Sequence, residues 1–224
     1  MTRRSVQVRR VLELAAEEAG LLGHRYVGPE HVVLGVLRDG TGGAARVLRG
    51  RGVDLEAARA ALRRLAERGV VPGPRPSDAE LLGTLGIDLD AVRRNAEQAF
   101  GAQALGRAIG EATRARRGGV GRVPRTPLRG PPVFWVQATY HAEAQAKELG
   151  REQVGSELLL LGVVVDAQTP WPRCMSNRWN RRLRASVGLE ESYQGVAGPL
   201  LGALGVDLAE LRAALLAEFQ QAVR

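Results

Sequence analysis

Apolar residues over positions 6–22 recur at three- and four-residue intervals: Val8, Val11, Leu12, Ala15, Ala19 and Leu22. Arg9, Arg10, Glu13, Glu17 and Glu18 fall mostly elsewhere, so the pattern predicts an amphipathic helix. The pattern breaks at Gly23, passes through a short extended link holding Val27, and restarts after Gly28 as the apolar run 32–37. This predicts a second helix over about 29–38. Pro29 would open it where a missing N–H costs nothing, and Glu30 would sit in the first turn, where the helix dipole favours a negative charge. Asp39 to Gly43 form a turn cluster, and a short third helix is predicted over about 44–49. Asp54 then caps a fourth helix whose apolar face is Leu55, Ala58, Leu62 and Leu65.

The same register returns 127 residues further on. Gly150, Val154, Gly155 and Glu157 repeat Gly23, Val27, Gly28 and Glu30, with Ser156 as a cap where the first copy has Pro29. Before it, an apolar set of Val136, Tyr140, Ala144, Ala146 and Leu149 predicts the partner helix. After it, the run 158–165 gives way to a stretch without helical period over about 166–194, and pattern recovers at 199–204. A Gly-x-Asp-Leu capping signature occurs three times, at Gly52, Gly86 and Gly205. Glu30 lies 24 residues before Asp54, whereas Glu157 lies 50 before Asp207, so the second unit carries an insertion of 26 residues. The sequence therefore predicts an all-α protein of two four-helix pseudo-repeats, over 5–68 and 133–222. Between them, 69–132 holds a proline-rich link, a helical half-unit with a break at Gly101, and a Gly/Pro/Arg-rich linker.

At 224 residues the chain is long enough to bury a substantial core, and 45% hydrophobic with only 4% aromatic content favours helices of Leu, Val and Ala. No apolar run reaches the roughly 20 residues that span a bilayer. Glu13, Glu17 and Glu18 interrupt what would be the core of a signal peptide, so the expected compartment is the cytoplasm. Cys174 is the only cysteine, and His24, His31 and His141 lack partners at zinc spacing, so no metal or cofactor is expected. The net charge of +8 raises a nucleic-acid reading through two arginine-bearing segments, about 114–129 and 178–184, the latter near Trp171 and Trp179. Lys147 is the only lysine, and such an arginine bias fits compositional drift better than selection for phosphate contacts.

The stretches 12–19, 22–37, Gly43-Ala44-Ala45-Arg46-Val47-Leu48 and Gly52-Val53-Asp54-Leu55 form one set, with weaker but in-register counterparts over 133–165 and 196–217. Together they resemble the N-terminal R domain of Clp/Hsp100 chaperones, the ClpC kind especially, itself a duplicated four-helix motif. The organisation is similar to that of small stand-alone R-domain proteins. No Gly-x-x-x-x-Gly-Lys-[Ser/Thr] loop occurs, so the likeness covers the docking domain of an unfoldase without its motor and implies no enzymatic activity. It implies binding to a ClpC-type ATPase, its adaptors or its protein substrates, or to peptide-like ligands. In that family a glutamate of each repeat helps to hold phosphoarginine, beside a threonine near the repeat's start. A carboxylate matches a guanidinium bidentately, while hydroxyl and helix N-terminal N–H groups suit a phosphate. Carried over, these positions are Glu30 with His31 and Ser5 in the first repeat, and Glu157 in the second. There Pro132 and Leu158 replace the threonine and the histidine. The expectation is one pocket around Glu30 and a structural echo around Glu157. Trp171 and Trp179 are the expected partner-contact residues of the insertion.

Overall fold

The computed structural model describes residues 3–71, 82–107, 111, 134–169, 182, 184–185, 189 and 195–221. The chain divides into two compact units, Met1–Pro74 with Gly130–Arg224, and Arg75–Arg129. The first unit opens with a short strand, β1 (Arg3–Arg4), followed by α1 (Val6–Leu21), α2 (Pro29–Asp39), α3 (Gly42–Arg49) and α4 (Leu55–Glu67). The middle unit contains α5 (Leu89–Phe100), capped by Asp88 and ended at Gly101 with φ +79°. The second repeat supplies α6 (Val136–Glu148), strand β2 (Gln153–Val154), α7 (Ser156–Gln168), α8 (Ala197–Ala203) and α9 (Leu208–Gln221). The described elements are overwhelmingly helical.

Side-chain oxygens cap the predicted helix starts. Ser5 Oγ accepts from Val8 N–H at 3.1 Å, Asp54 from Ala57 at 2.8 Å, Asp88 from Ala91 at 3.0 Å, and Asp207 from Glu210 at 2.9 Å. Each such cap is worth about 1 kcal/mol.

Each repeat begins as a tight helix pair, α1 on α2 and α6 on α7. One glycine in each pair explains the closeness. A Cβ at Gly35 would collide with the Val11 carbonyl oxygen and lie 3.0 Å from Ala15 N. A Cβ at Gly162 would collide with the Ala138 carbonyl oxygen and lie 2.8 Å from Ala142 N. This contact corrects part of the sequence reading of α6, which puts Ala146 on the apolar face but not Ala138 or Ala142. Its buried face is Ala138, Ala142 and Ala146, while Val136, Tyr140 and Leu149 are exposed. Small residues allow backbone-to-backbone approach, so helix contact selects alanine over the larger apolar residues.

The two repeats interlock. The third helix of each packs on the fourth helix of the other, α3 on α9 and α8 on α4, while α7 runs against both α2 and α3. Strand β1 pairs in parallel with β2, Arg3 opposite Gln153 and Arg4 opposite Val154. In return, Phe134 N–H at the entry to the second repeat donates to the Val27 carbonyl at 2.8 Å. One continuous core results, contributed by both repeats.

Glu18, read from the sequence among the solvent-side residues of α1, is fully buried. Arg59 Nε and Nη2 donate to its two oxygens at 2.8 and 2.6 Å, and Arg38 Nη1 donates at 3.1 Å. One carboxylate thereby ties α1, α2 and α4, and it drives the Arg59 guanidinium further toward its charged form.

Candidate functional site

The duplicated glutamates lie at the seam between the repeats, and each reaches the opposite one. Glu157 Oε1, in the first turn of α7, accepts from Gly43 N–H at 2.6 Å in the first turn of α3. Glu30 Oε2, in the first turn of α2, accepts from Val196 N–H at 3.4 Å, just before α8. Thus each carboxylate satisfies an otherwise unpaired N–H at the start of the other repeat's third helix. Close glycines make room for this. A Cβ at Gly43 would stand 2.6 Å from Glu157 Oε1, and one at Gly195, whose φ is +87°, would stand 3.0 Å from Pro29 Cγ.

The surroundings of the two carboxylates differ sharply. Glu157 is partly exposed and opens on a cavity of about 600 Å³ whose walls include Ser5, Arg151, Gln153, Leu158 and Phe219. The β1–β2 pairing brings Ser5 there, with Ser5 N–H donating to the Val154 carbonyl at 3.1 Å. The Arg151 guanidinium lies 4.8 Å from the Phe219 ring centroid, a cation–π contact that fixes a positive charge at the rim. The cavity therefore offers a carboxylate, a hydroxyl, a guanidinium and an aromatic face together.

Around Glu30 the equivalent space is filled. Glu30 and His31 are 0% exposed, Tyr26 is 1% and His24 is 9% exposed. Tyr26 stacks on His24 at 5.6 Å between centroids and meets Phe134 edge-on at 6.0 Å. Gly28 N–H donates to His31 Nδ1 at 2.9 Å, so His31 carries its proton on Nε2, which reaches His24 Nδ1 at 2.8 Å. Burial pushes His31 down to about 3 and His24 down to about 4, with the neighbouring His31 adding to the depression of His24. His31 Nδ1 lies 3.4 Å from Glu30 Oε1, but a neutral ring makes this a close polar contact, not an ion pair.

A further carboxylate, unnoticed in the sequence, lies near this filled site. Asp166 of α7 is 2% exposed, and neither of its oxygens has a hydrogen-bond partner among the described residues. Burial first, then the nearby Glu30, push its carboxyl up to about 7. The spacing Leu159, Val163, Asp166 places it on the buried stripe of α7, and that spacing was the available signal. The spacing Val11, Ala15, Glu18, Leu22 gives Glu18 away in the same manner.

Of the residues singled out from the sequence, the fold unites Ser5 with Glu157 on one cavity and buries Glu30 with His31 elsewhere. Solvent access is thus the reverse of the expected arrangement. Periodicity placed Ser5 with its own repeat, whereas the strand pairing carries it across the seam. Trp171 and Trp179 lie outside the described residues, as do the arginines of 114–129. No cluster of three potential metal-ligating side chains occurs among the described residues, and no described helix is long and apolar enough to cross a membrane.

Residues 3–81 match the family model of the Clp repeat (R) N-terminal domain. Over 89 residues the chain is 40% identical to the chloroplastic chaperone protein ClpC3 of Oryza sativa subsp. japonica, covering 40% of this chain and 9% of that protein. Over 48 residues it is 58% identical to a chloroplastic ATP-dependent Clp protease ATP-binding subunit, a ClpA homolog of Brassica napus, covering 21% of this chain and 6% of that protein. The chain thus spans less than a tenth of the length of these relatives. The solved N-terminal domain of the caseinolytic protease-associated chaperone ClpD from Arabidopsis thaliana superposes with a TM-score of 0.52 at 14% identity. That superposition covers 97% of this chain and 95% of that one, which shows a shared fold.

Proposed function

Because residues 3–81 carry a ClpC-like Clp R domain and the whole chain has the all-α R-domain fold, we propose that this protein is a non-catalytic docking module for Clp-type unfoldases. Its partners in this reading are a ClpC-type ATPase, that ATPase's adaptors or its protein substrates, and it acts as adaptor, modulator or decoy in Clp-dependent proteolysis.

The observation that carries the reading is the cavity at the repeat seam, where Glu157, Ser5 and Arg151 face a common space. A carboxylate whose Oε1 is fixed by Gly43 N–H is oriented before any ligand arrives, and such preorganisation lowers the cost of binding. The carboxylate suits a guanidinium, while the Ser5 hydroxyl and the Arg151 guanidinium suit an attached phosphate. Phosphoarginine-bearing protein segments combine both groups, and they are the ligand class assigned to this site.

The test is affinity measurement and pull-down with the intact chain against a ClpC-type ATPase, its adaptors and phosphoarginine peptides. Binding to at least one of them, weakened tenfold or more by Glu157→Ala without loss of helical content, is the expected result. A folded protein that binds none of them refutes the reading. The rival nucleic-acid reading predicts a gel shift that weakens steeply with salt. No described residue favours it.

A further inference from the structure

The two seam sites are related position by position, and the comparison yields more than either alone. Arg151, Gln153, Gly155, Glu157 and Leu158 line the open cavity; 127 residues earlier stand His24, Tyr26, Gly28, Glu30 and His31. The backbone framework is the same in both. Each glycine precedes the helix as an extended N-cap, with ψ near 180°, and each glutamate caps the opposite repeat's third helix. Only the side chains differ. Where the second repeat offers Arg151 and Gln153, which reach outward, the first offers rings that turn inward and pack on one another. Phe134 completes the filling from the second repeat: it is 7% exposed, set edge-on to Tyr26, and anchored through its own N–H to the Val27 carbonyl.

We infer that the module is monovalent: the Glu157 cavity takes one ligand per chain, while its twin at Glu30 is occupied by the protein's own Tyr26, His24 and His31, sealed by Phe134. This rests on the binding role proposed above for the Glu157 cavity. The duplicated framework is thereby put to two uses. One copy receives a side chain from another protein, and the other receives side chains from its own chain and becomes core. Glu30 is left with a structural task, holding the start of α8, and its carboxylate meets no incoming ligand.

The experiment is titration calorimetry of the full chain with a tripeptide bearing a central phosphoarginine, with the unphosphorylated arginine tripeptide as control. Three results are expected. The stoichiometry is one; Glu157→Gln, which keeps an oxygen for Gly43 N–H, weakens binding at least tenfold; and Glu30→Gln leaves affinity within twofold. A stoichiometry of two overturns the inference while leaving the docking role intact. So does binding that survives Glu157→Gln but is lost in Glu30→Gln. Absence of any binding to the wild-type chain overturns the docking pocket itself, and the inference with it. Should Glu30→Gln fail to fold, Phe134→Ala supplies the second arm, since removing the seal is expected to add a weaker second equivalent. A folded Phe134→Ala protein that still binds one equivalent with unchanged affinity would count against the seal.

Discussion

Replacing Glu18 with alanine removes the one buried carboxylate that joins α1, α2 and α4, and its cost can be worked from the contacts. Three charge-assisted hydrogen bonds are lost, two from Arg59 and one from Arg38. Breaking a fully buried ion pair by deleting one partner costs about 3–5 kcal/mol, because the surviving charge is stranded. Here the survivors are not fully stranded: the Arg59 and Arg38 side chains are 20% and 31% exposed and can recover water. The expected loss is therefore about 2–4 kcal/mol, a discount for that recovered hydration. In a chain of this size it corresponds to a fall in Tm of roughly 5–15 °C. Urea, which does not screen charge, is the denaturant to use. Glu18→Gln preserves shape and one accepting oxygen, so about half the loss is expected. A double-mutant cycle with Arg59→Ala should return a coupling of at least about 1 kcal/mol. If Glu18→Ala unfolds within about 0.5 kcal/mol of wild type, or the cycle closes additively, the tie between these helices is not what the geometry says.

Gly35→Ala and Gly162→Ala should each destabilise by about 2 kcal/mol or more, since an added methyl meets a backbone carbonyl that no rotamer change can move; equilibrium unfolding checks this, and a neutral result at either site would refute the close helix contact. The pH profile has two opposed parts. His24 and His31 have folded-state values near 4 and 3, below the ordinary 6.5, so their contribution is complete above pH 6.5 and is lost as the pH falls toward 4. Asp166, raised to about 7 from 3.8, favours the folded state when protonated, so its contribution is lost as the pH rises from 4 through 7. Asp166→Asn should accordingly raise Tm at pH 8 and leave it nearly unchanged at pH 3.5, and a Tm gain of equal size at both pH values would contradict the assignment.

The fold was largely readable from local pattern. The capping aspartates and the two glycine-opened helices follow from spacing within a few residues of one another. What periodicity could not reveal was the partner of each face. In α6, apolar size pointed to Val136 and Tyr140, yet the contact selected Ala138 and Ala142 beside the expected Ala146, because a facing glycine brings two backbones together. The site was half legible for the same reason. Glu157 and Ser5 were visible as candidates, but their meeting depends on a strand pairing between residues about 150 positions apart, and no local rule encodes that. Likewise, local spacing does not show that the His24, Tyr26 and His31 rings meet beside Glu30. Only their convergence with Phe134 turns a candidate pocket into core.

The exchange of third and fourth helices has a consequence for how the chain comes into being. Neither repeat owns a complete set of neighbours: α4 leans on α8, and α9 leans on α3. The protein is in effect a dimer whose two subunits share one polypeptide, so each repeat meets its partner within the same molecule. Because α4 finds its neighbour in α8 and α9 finds its own in α3, neither repeat completes its packing without the other.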